Sequence, residues 1–176
     1  MIIGVDHPAY FYTATILNWN HLLKNDNYKY FITGSMKFLA EDKRIYVYGF
    51  PIMPNHIHAL WSIRDGHALS EVKNSFMKFT AQQMKLDMLH RDDSALANFK
   101  STQRDRKFQI WERNALAVPV YSRAVMEQKL NYIHNNAIQE KWNLVRLPEE
   151  YFFSSARFYL LEKDDWGFIT HYMDHC

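Results

Sequence analysis

The chain contains little cysteine, glycine or proline. Its single cysteine, Cys176, is the last of 176 residues, which excludes an internal disulfide framework and cysteine-rich zinc sites. Five glycines and five prolines, beside 48% hydrophobic and 16% aromatic residues, exclude a low-complexity or disordered chain. Any bound metal must therefore be held by histidine, amide or carboxylate side chains.

Long apolar runs and strong net charge are also missing. No run approaches the roughly 18 apolar residues of a membrane span, and no basic region followed by an apolar core opens the sequence. We therefore expect neither a membrane span nor a signal peptide, and a cytoplasmic location. The net charge of +2 is too small to identify a nucleic-acid binder. The length suits one domain over residues 1–176, with a sizeable core.

Hydrophobic periodicity predicts a mixture of strands and helices. Strands are expected over residues 10–17, 44–50 and 108–120, the last broken near Arg113. Helices are expected from residue 27 or 28 to 40, from Ser70 as N-cap to about His90, and onward from Ser122 as N-cap. A polar stretch at 91–107 is expected to be a long exposed loop or a helix extension.

Two histidines, His56 and His58, lie one residue apart in an apolar run. Because prolines at 51 and 54 turn the chain just before it, this run is predicted to pair with 44–50 as an antiparallel hairpin. Side chains alternate along a strand, so both imidazoles face the same way, roughly 7 Å apart at Cβ, where one cation can bridge them. By itself, such a short pattern is more often an ordinary polar strand face than a metal site.

Tyr132 and Asn136 lie four residues apart on the helix predicted after Ser122. On a helix this spacing places both side chains on one face, roughly 6 Å apart at Cβ. Mg²⁺ and Mn²⁺ accept imidazole and amide oxygen ligands, so His56, His58 and Asn136 form a candidate three-ligand set. Tyr132 would then be the nucleophile on a phosphodiester that the metal polarises. Without the histidine pair, a core aromatic would be the simpler interpretation of Tyr132.

Two segments in this order carry a family resemblance. Met-Pro-Asn-His-Ile-His at 53–58, followed by Leu-Asn-Tyr-Ile-His-Asn-Asn at 130–136, resembles the HUH single-tyrosine transposases, particularly the REP-associated tyrosine transposases. The run at 151–159 looks like that family's closing motif. The resemblance implies an α+β, ferredoxin-like fold in which helices pack on an antiparallel sheet.

The resemblance also implies a reaction. Members of the family nick and rejoin single-stranded DNA, next to a folded hairpin, with a divalent metal. Carried across, His56, His58 and Asn136 bind Mg²⁺ or Mn²⁺, and Tyr132 attacks the scissile phosphate to give a 5′-phosphotyrosine link and a free 3′-hydroxyl. Relatives occur as monomers and as homodimers, so both states stay open. The expected location is the cytoplasm, on the bacterial nucleoid.

A basic cluster lies between residues 100 and 113, where positive charges exceed negative ones by three. Its cationic residues are Lys100, Arg104, Arg106, Lys107 and Arg113. The family's use of DNA hairpins gives these residues a predicted role in contacting phosphates. A solvated loop is the other interpretation.

The sequence departs from the family after the tyrosine. A proline usually follows the asparagine there, whereas this chain has Ala137 after Asn136. Without that proline, the tyrosine helix is predicted to continue past Asn136. His134, two residues from Tyr132, is expected to be structural or DNA-facing and not a metal ligand.

Two other functions fit the same residues. A metal phosphodiesterase would use water as its nucleophile, with Tyr132 only packing. A domesticated hairpin-binding protein would keep the fold and bind DNA without cleaving it. The oligomeric state and the target DNA sequence are not predicted.

Overall fold

The computed structural model describes residues 9–175 and contains a four-stranded antiparallel sheet. The strands are β1 (Ala9–Thr15), β2 (Ile45–Gly49), β3 (His56–Ile63) and β4 (Leu116–Val120). The helices are α1 (Asp26–Glu41), α2 (Leu69–His90), α3 (Arg123–His134) and α4 (Ala156–Leu160). The chain order β1-α1-β2-β3-α2-β4 with the sheet order β2-β3-β1-β4 is the ferredoxin-like arrangement. The predicted fold class is therefore confirmed.

One face of the sheet packs against α1 and α2. Alternate residues of β1 and β3, such as Tyr12, Ile57 and Trp61, are fully buried there in the main core. The Tyr28 hydroxyl of α1 donates to Asp87 Oδ2 of α2 at 2.8 Å. The two helices therefore form one layer over this face.

The opposite face is covered by α3. Phe11 of β1 and Leu60 of β3 pack there against Leu130 and Ile133. Gly49 at the end of β2 permits the close approach, since a Cβ at this position would lie 2.7 Å from Leu130 Cδ2 and 3.0 Å from Ile133 Cδ1. Helix α3 thus rests directly on the backbone of β2.

The C-terminal segment protects the β2 edge of the sheet. The Thr170 backbone N–H donates to the Val47 carbonyl at 2.8 Å. The rings of Trp166 and Phe168 pack on Phe50 at centroid distances of 5.6 and 5.9 Å. No helix within residues 9–175 is long and apolar enough to cross a membrane.

Helix α2 begins earlier than predicted. Its N-cap is Ala68, and the Ala68 backbone N–H donates to Glu71 Oε2 at 3.2 Å. A carboxylate in the first turn also interacts favourably with the helix dipole. The prediction that Ser70 caps this helix was wrong, whereas Ser122 caps α3 as expected and accepts a hydrogen bond from the Val125 N–H at 3.3 Å.

The region between α2 and β4 is more structured than predicted. A 3₁₀ helix, Ser94–Phe99, buries Phe99 completely. Trp111 Nε1–H then donates to Thr80 Oγ1 of α2 at 3.0 Å. The strand expected over 108–120 is confirmed only for Leu116–Val120, because Asn114 takes a φ of +62° just before it.

Candidate active site

Strand β3 presents His56 and His58 on the face covered by α3. Their ring centroids are 4.9 Å apart, and each residue is 7% exposed. Thr15 and Thr13 of β1 lie directly opposite them in the antiparallel register. The two imidazoles therefore share one buried site, as the strand alternation predicts.

Each histidine ring is oriented by a hydrogen bond at Nδ1. His58 Nδ1 lies 2.8 Å from Thr13 Oγ1, and His56 Nδ1 lies 2.7 Å from Asn55 Oδ1. Asn55 Nδ2 donates to the Trp19 carbonyl, so Asn55 Oδ1 is oriented to accept a hydrogen bond from Nδ1–H of His56. This tautomer leaves Nε2 of His56 with a lone pair, which is the arrangement that metal-binding histidines use.

Both histidines are neutral at pH 7. Burial lowers the pKa of His56 to about 4, and the Lys141 cation adds to this effect. Burial also lowers the pKa of His58 to about 3, with contributions from His56, Lys141 and Lys129. A neutral imidazole is the form that binds a metal cation.

Tyr132 of α3 lies against this pair. Its ring centroid is 5.5 Å from that of His58 and 6.0 Å from that of Phe11. The residue is 44% exposed, so it is not a core aromatic. The structure therefore brings a solvent-accessible phenol to the edge of the buried histidine pair within a single chain.

Asn136 does not lie on the tyrosine helix. Helix α3 ends at His134, and Asn136 begins a 3₁₀ turn, Asn136–Ile138. The prediction that the helix continues past Asn136 was wrong, because the Ala137 carbonyl accepts a hydrogen bond from the Leu144 N–H at 2.9 Å and the chain folds back. Asn136 is 1% exposed, and neither of its amide atoms has a hydrogen-bond partner within residues 9–175.

His134 has a structural environment. It is 7% exposed, and its Nε2 lies 2.9 Å from Ser155 Oγ. Ser155 Oγ also accepts a hydrogen bond from the Phe50 N–H at 3.0 Å. Burial lowers the pKa of His134 to about 4. His134 thus joins the end of α3 to the chain that follows β2, in line with the structural role expected for it.

Lys129 is a functional candidate that the sequence interpretation missed. Its Nζ lies 4.7 Å from the ring centroid of Phe11, and the Phe11 ring stacks on His58 at 5.0 Å. Lys129 lies one turn before Tyr132 on α3, and this spacing was the available sequence signal.

Lys141 occupies the matching position beside His56. Its Nζ lies 5.7 Å from the ring centroid of Trp142, and that ring is 5.6 Å from the His56 ring. Neither Lys129 nor Lys141 forms an ion pair with any residue between 9 and 175. The sequence offered no signal for Lys141, since its place depends on the fold-back after Asn136.

The donor set fits a hard divalent cation. In the described part of the chain, no group of three or more His, Cys, Asp or Glu side chains is placed to hold a metal. The candidate set instead combines two neutral imidazoles with the buried amide of Asn136, whose unpartnered oxygen is costly unless a ligand satisfies it. Imidazole and amide ligands suit Mg²⁺ or Mn²⁺ and leave positions for phosphate oxygens.

The cations predicted to contact DNA lie on the surface of the protein. All five are exposed, namely Lys100, Arg104, Arg106, Lys107 and Arg113. Arg106 is engaged by Asp105 at 2.8 Å. Of the five, Arg106 and Arg113 line a groove beside α2, whereas Lys100, Arg104 and Lys107 do not, and their contact with DNA stays a prediction.

The fold and the site together define a ferredoxin-like protein with a histidine pair on a central strand and a tyrosine on the helix across it. Among solved structures, a REP-associated tyrosine transposase bound to a REP hairpin matches 95% of this chain and 85% of that chain, with a TM-score of 0.65 and 14% sequence identity. The resemblance predicted from the two motifs is thus confirmed at the level of the fold.

A second similar structure is a proposed transposase from Deinococcus radiodurans. It matches 72% of this chain and 88% of that chain, with a TM-score of 0.49 and 15% identity. Neither protein-family models nor curated protein sequences match this chain.

Proposed function

We propose that this chain nicks and rejoins single-stranded DNA by metal-dependent transesterification, with Tyr132 as the nucleophile. The observation that carries the proposal is the accessible Tyr132 ring 5.5 Å from the buried, neutral His58. An exposed tyrosine beside an oriented histidine pair is an arrangement that core packing does not require.

The metal-binding residues in this proposal are His56, His58 and Asn136. Mg²⁺ or Mn²⁺, when bound, would polarise the phosphodiester and offset its negative charge. The hydrogen bonds at Nδ1 orient both imidazoles, and the bond from His56 Nδ1 to Asn55 Oδ1 selects the tautomer of His56 that leaves its Nε2 available.

The bond changes balance without a further reactant. Tyr132 Oη bonds to phosphorus while the bond from phosphorus to the 3′-oxygen breaks. The phenol proton is lost, and the 3′-oxygen gains one, so the products are a 5′-phosphotyrosine link and a 3′-hydroxyl. Because the covalent link conserves the energy of the phosphodiester, a 3′-hydroxyl can reverse the step and join strands.

Lys129 and Lys141 are the proposed anchors for the scissile phosphate. Each lies over an aromatic ring that also contacts one of the two histidines. Cations fixed on both sides of the site would hold non-bridging phosphate oxygens and stabilise the charge of the transition state. The same two charges help to keep the neighbouring histidines neutral.

The proposed substrate is a DNA strand that contains a hairpin. The solved structure with the same fold is a transposase bound to a REP hairpin, which supports this choice. The histidines and the tyrosine of the site come from one chain, so the proposed reaction needs no second copy.

The test is to trap the covalent intermediate. The protein is incubated with Mg²⁺ or Mn²⁺ and a labelled single strand beside a hairpin, and adducts are resolved on a denaturing gel. We expect an adduct that is lost in Tyr132→Phe and retained in Tyr121→Phe, a matched change at a tyrosine that is 75% exposed.

Each other outcome contradicts the proposal. An adduct that survives Tyr132→Phe would exclude this residue as the nucleophile. Cleavage without any adduct would indicate a phosphodiesterase that uses water. Binding without cleavage under either metal would indicate a hairpin-binding protein.

A further inference from the structure

A groove of about 1190 Å³ lies between α2 and residues 105–115. It lies on the α2 side of the sheet and shares no lining residue with the histidine site. Trp111 closes its base through the hydrogen bond from Nε1–H to Thr80 Oγ1. The two walls are therefore held together by a buried contact.

The groove carries an excess of positive charge. Five cationic and two acidic residues line it. Both acids are already engaged, because Asp105 pairs with Arg106 at 2.8 Å and Glu112 accepts a hydrogen bond from the Asn18 N–H at 2.6 Å.

Four of the five cations form no ion pair within residues 9–175, and one of these, Lys73, donates to the Ala115 carbonyl at 3.0 Å. The other three, Lys78, Lys85 and Arg113, are available to a polyanion that enters the groove.

The spacing of these cations suits an extended polyanion. Lys78 and Lys85 are seven residues apart on α2, which corresponds to about 10.5 Å along the helix axis. That length equals about three base-pair rises of 3.4 Å along the axis of a DNA duplex. Arg113 lies on the facing wall, so the charges flank a path instead of converging on one point.

The groove also lies close to the candidate active site. Thr13 of β1 pairs with His58 of β3 on one side and with Leu116 of β4 on the other. Since neighbouring strands are about 4.8 Å apart, the backbones at His58 and Leu116 are about 10 Å apart. Ala115, which precedes Leu116, lines the groove. A polyanion bound in the groove that continues around the edge strand β4 therefore reaches the histidine face over a short distance.

We propose that this groove binds the sugar-phosphate backbone of the DNA segment next to the strand that is cleaved. The identity of the polyanion as DNA rests on the function proposed above. Binding by phosphate contact is independent of sequence, so the groove would contribute affinity and register while other residues select the target.

The test measures equilibrium binding of a labelled DNA hairpin with a single-stranded extension, by fluorescence anisotropy over a range of salt concentrations. All proteins carry Tyr132→Phe, so that no covalent link forms. Lys78→Gln/Lys85→Gln is compared with Lys37→Gln/Lys43→Gln, which makes the same charge change at exposed lysines outside the groove.

We expect the groove variant to bind at least tenfold more weakly at moderate salt. The magnitude of the slope of log Kobs against log salt should decrease by about 2, because two phosphate contacts are lost. The control variant should bind like its parent. Thermal unfolding of both variants checks that the fold is retained.

Equal losses in the two variants, or an unchanged salt slope in the groove variant, would overturn the inference. Its failure is distinguishable from failure of the proposed function. The groove is tested by binding without chemistry, whereas the function is tested by the adduct that the unmodified Tyr132 forms.

Discussion

The two faces of one sheet differ in how they hold their side chains. On the face under α1 and α2, Ile57 and Trp61 are fully buried among apolar neighbours. On the opposite face of the same strand, His56 and His58 are also buried, but each ring is fixed by a hydrogen bond at Nδ1. One strand thus serves folding through one face and positions polar groups through the other.

The difference shows where unsatisfied polar atoms are tolerated. The Trp61 Nε1–H and the Tyr12 hydroxyl have no partner within residues 9–175, although both are in the main core. There, packing of large rings outweighs the cost of a lost hydrogen bond. Near the histidine site, the indole N–H of Trp142 is unpartnered in the same way, and so is the amide of Asn136, which offers little packing in return. The contrast between a packed ring and a small amide supports the proposal that the Asn136 amide binds a ligand.

The largest expected loss of stability is for a substitution on the apolar face, under α1 and α2. Trp61→Ala should lower the free energy of unfolding by about 3–5 kcal/mol, because it leaves a cavity against Tyr12 and Phe76. Trp61→Phe keeps a ring and removes the unpartnered N–H, so its cost should be below about 2 kcal/mol. Urea unfolding measures both. Similar losses in the two variants would show that ring packing does not dominate this face.

The second-largest expected effect is the pH dependence of stability, which arises from the buried histidines on the α3 side of the sheet. The pKa values of His56, His58 and His134 are lowered in the folded protein to about 4, 3 and 4, against about 6.5 when unfolded. The unfolded chain therefore binds more protons below pH 6.5, and the stabilisation present above pH 6.5 is lost as the pH falls toward those folded values.

Between pH 6.5 and 5, we expect a loss of roughly 1–2 kcal/mol for each of these histidines in the metal-free protein. Urea unfolding at several pH values measures it. His134→Gln should remove about one third of the slope, whereas Asn135→Ala, at an exposed neighbouring position without a titratable group, should leave the slope unchanged. A slope that is the same in all three proteins would contradict the assignment.

The smallest effect on stability is expected at Asn136. Without metal, Asn136→Ala should change the free energy of unfolding by less than about 1 kcal/mol, since lost packing is offset by removal of an unsatisfied amide. The rise in melting temperature on adding Mn²⁺ should shrink or vanish in this variant. Asn135→Ala, a change at the exposed neighbouring residue, should keep that rise. A full response to Mn²⁺ in Asn136→Ala would remove this residue from the ligand set.

Strand and helix periodicity predicted much of this molecule. The alternation of the histidine strand placed His56 and His58 on one face, and the apolar runs at 10–17 and 44–50 correspond to β1 and β2. These features depend on local pattern and on burial of one face, which a sequence records directly.

Features set by contacts distant in sequence were not predictable. Helix α3 ends where it does because Ala137 hydrogen-bonds to Leu144, and this fold-back also brings Lys141 and Trp142 to His56. The groove depends on the docking of residues 105–115 on α2. The absence of a proline after Asn136 permits a longer helix but does not require one, and tertiary contacts end the helix at His134.

The close contact at Gly49 makes the geometry of the candidate site independent of residues 91–115. This segment lies in the sequence between the histidine strand and the tyrosine helix. Because α3 rests on the backbone of β2, the distance from Tyr132 to His58 is set by contacts that do not involve residues 91–115. Insertions, deletions and charge changes in that segment can therefore accumulate without altering the placement of the tyrosine.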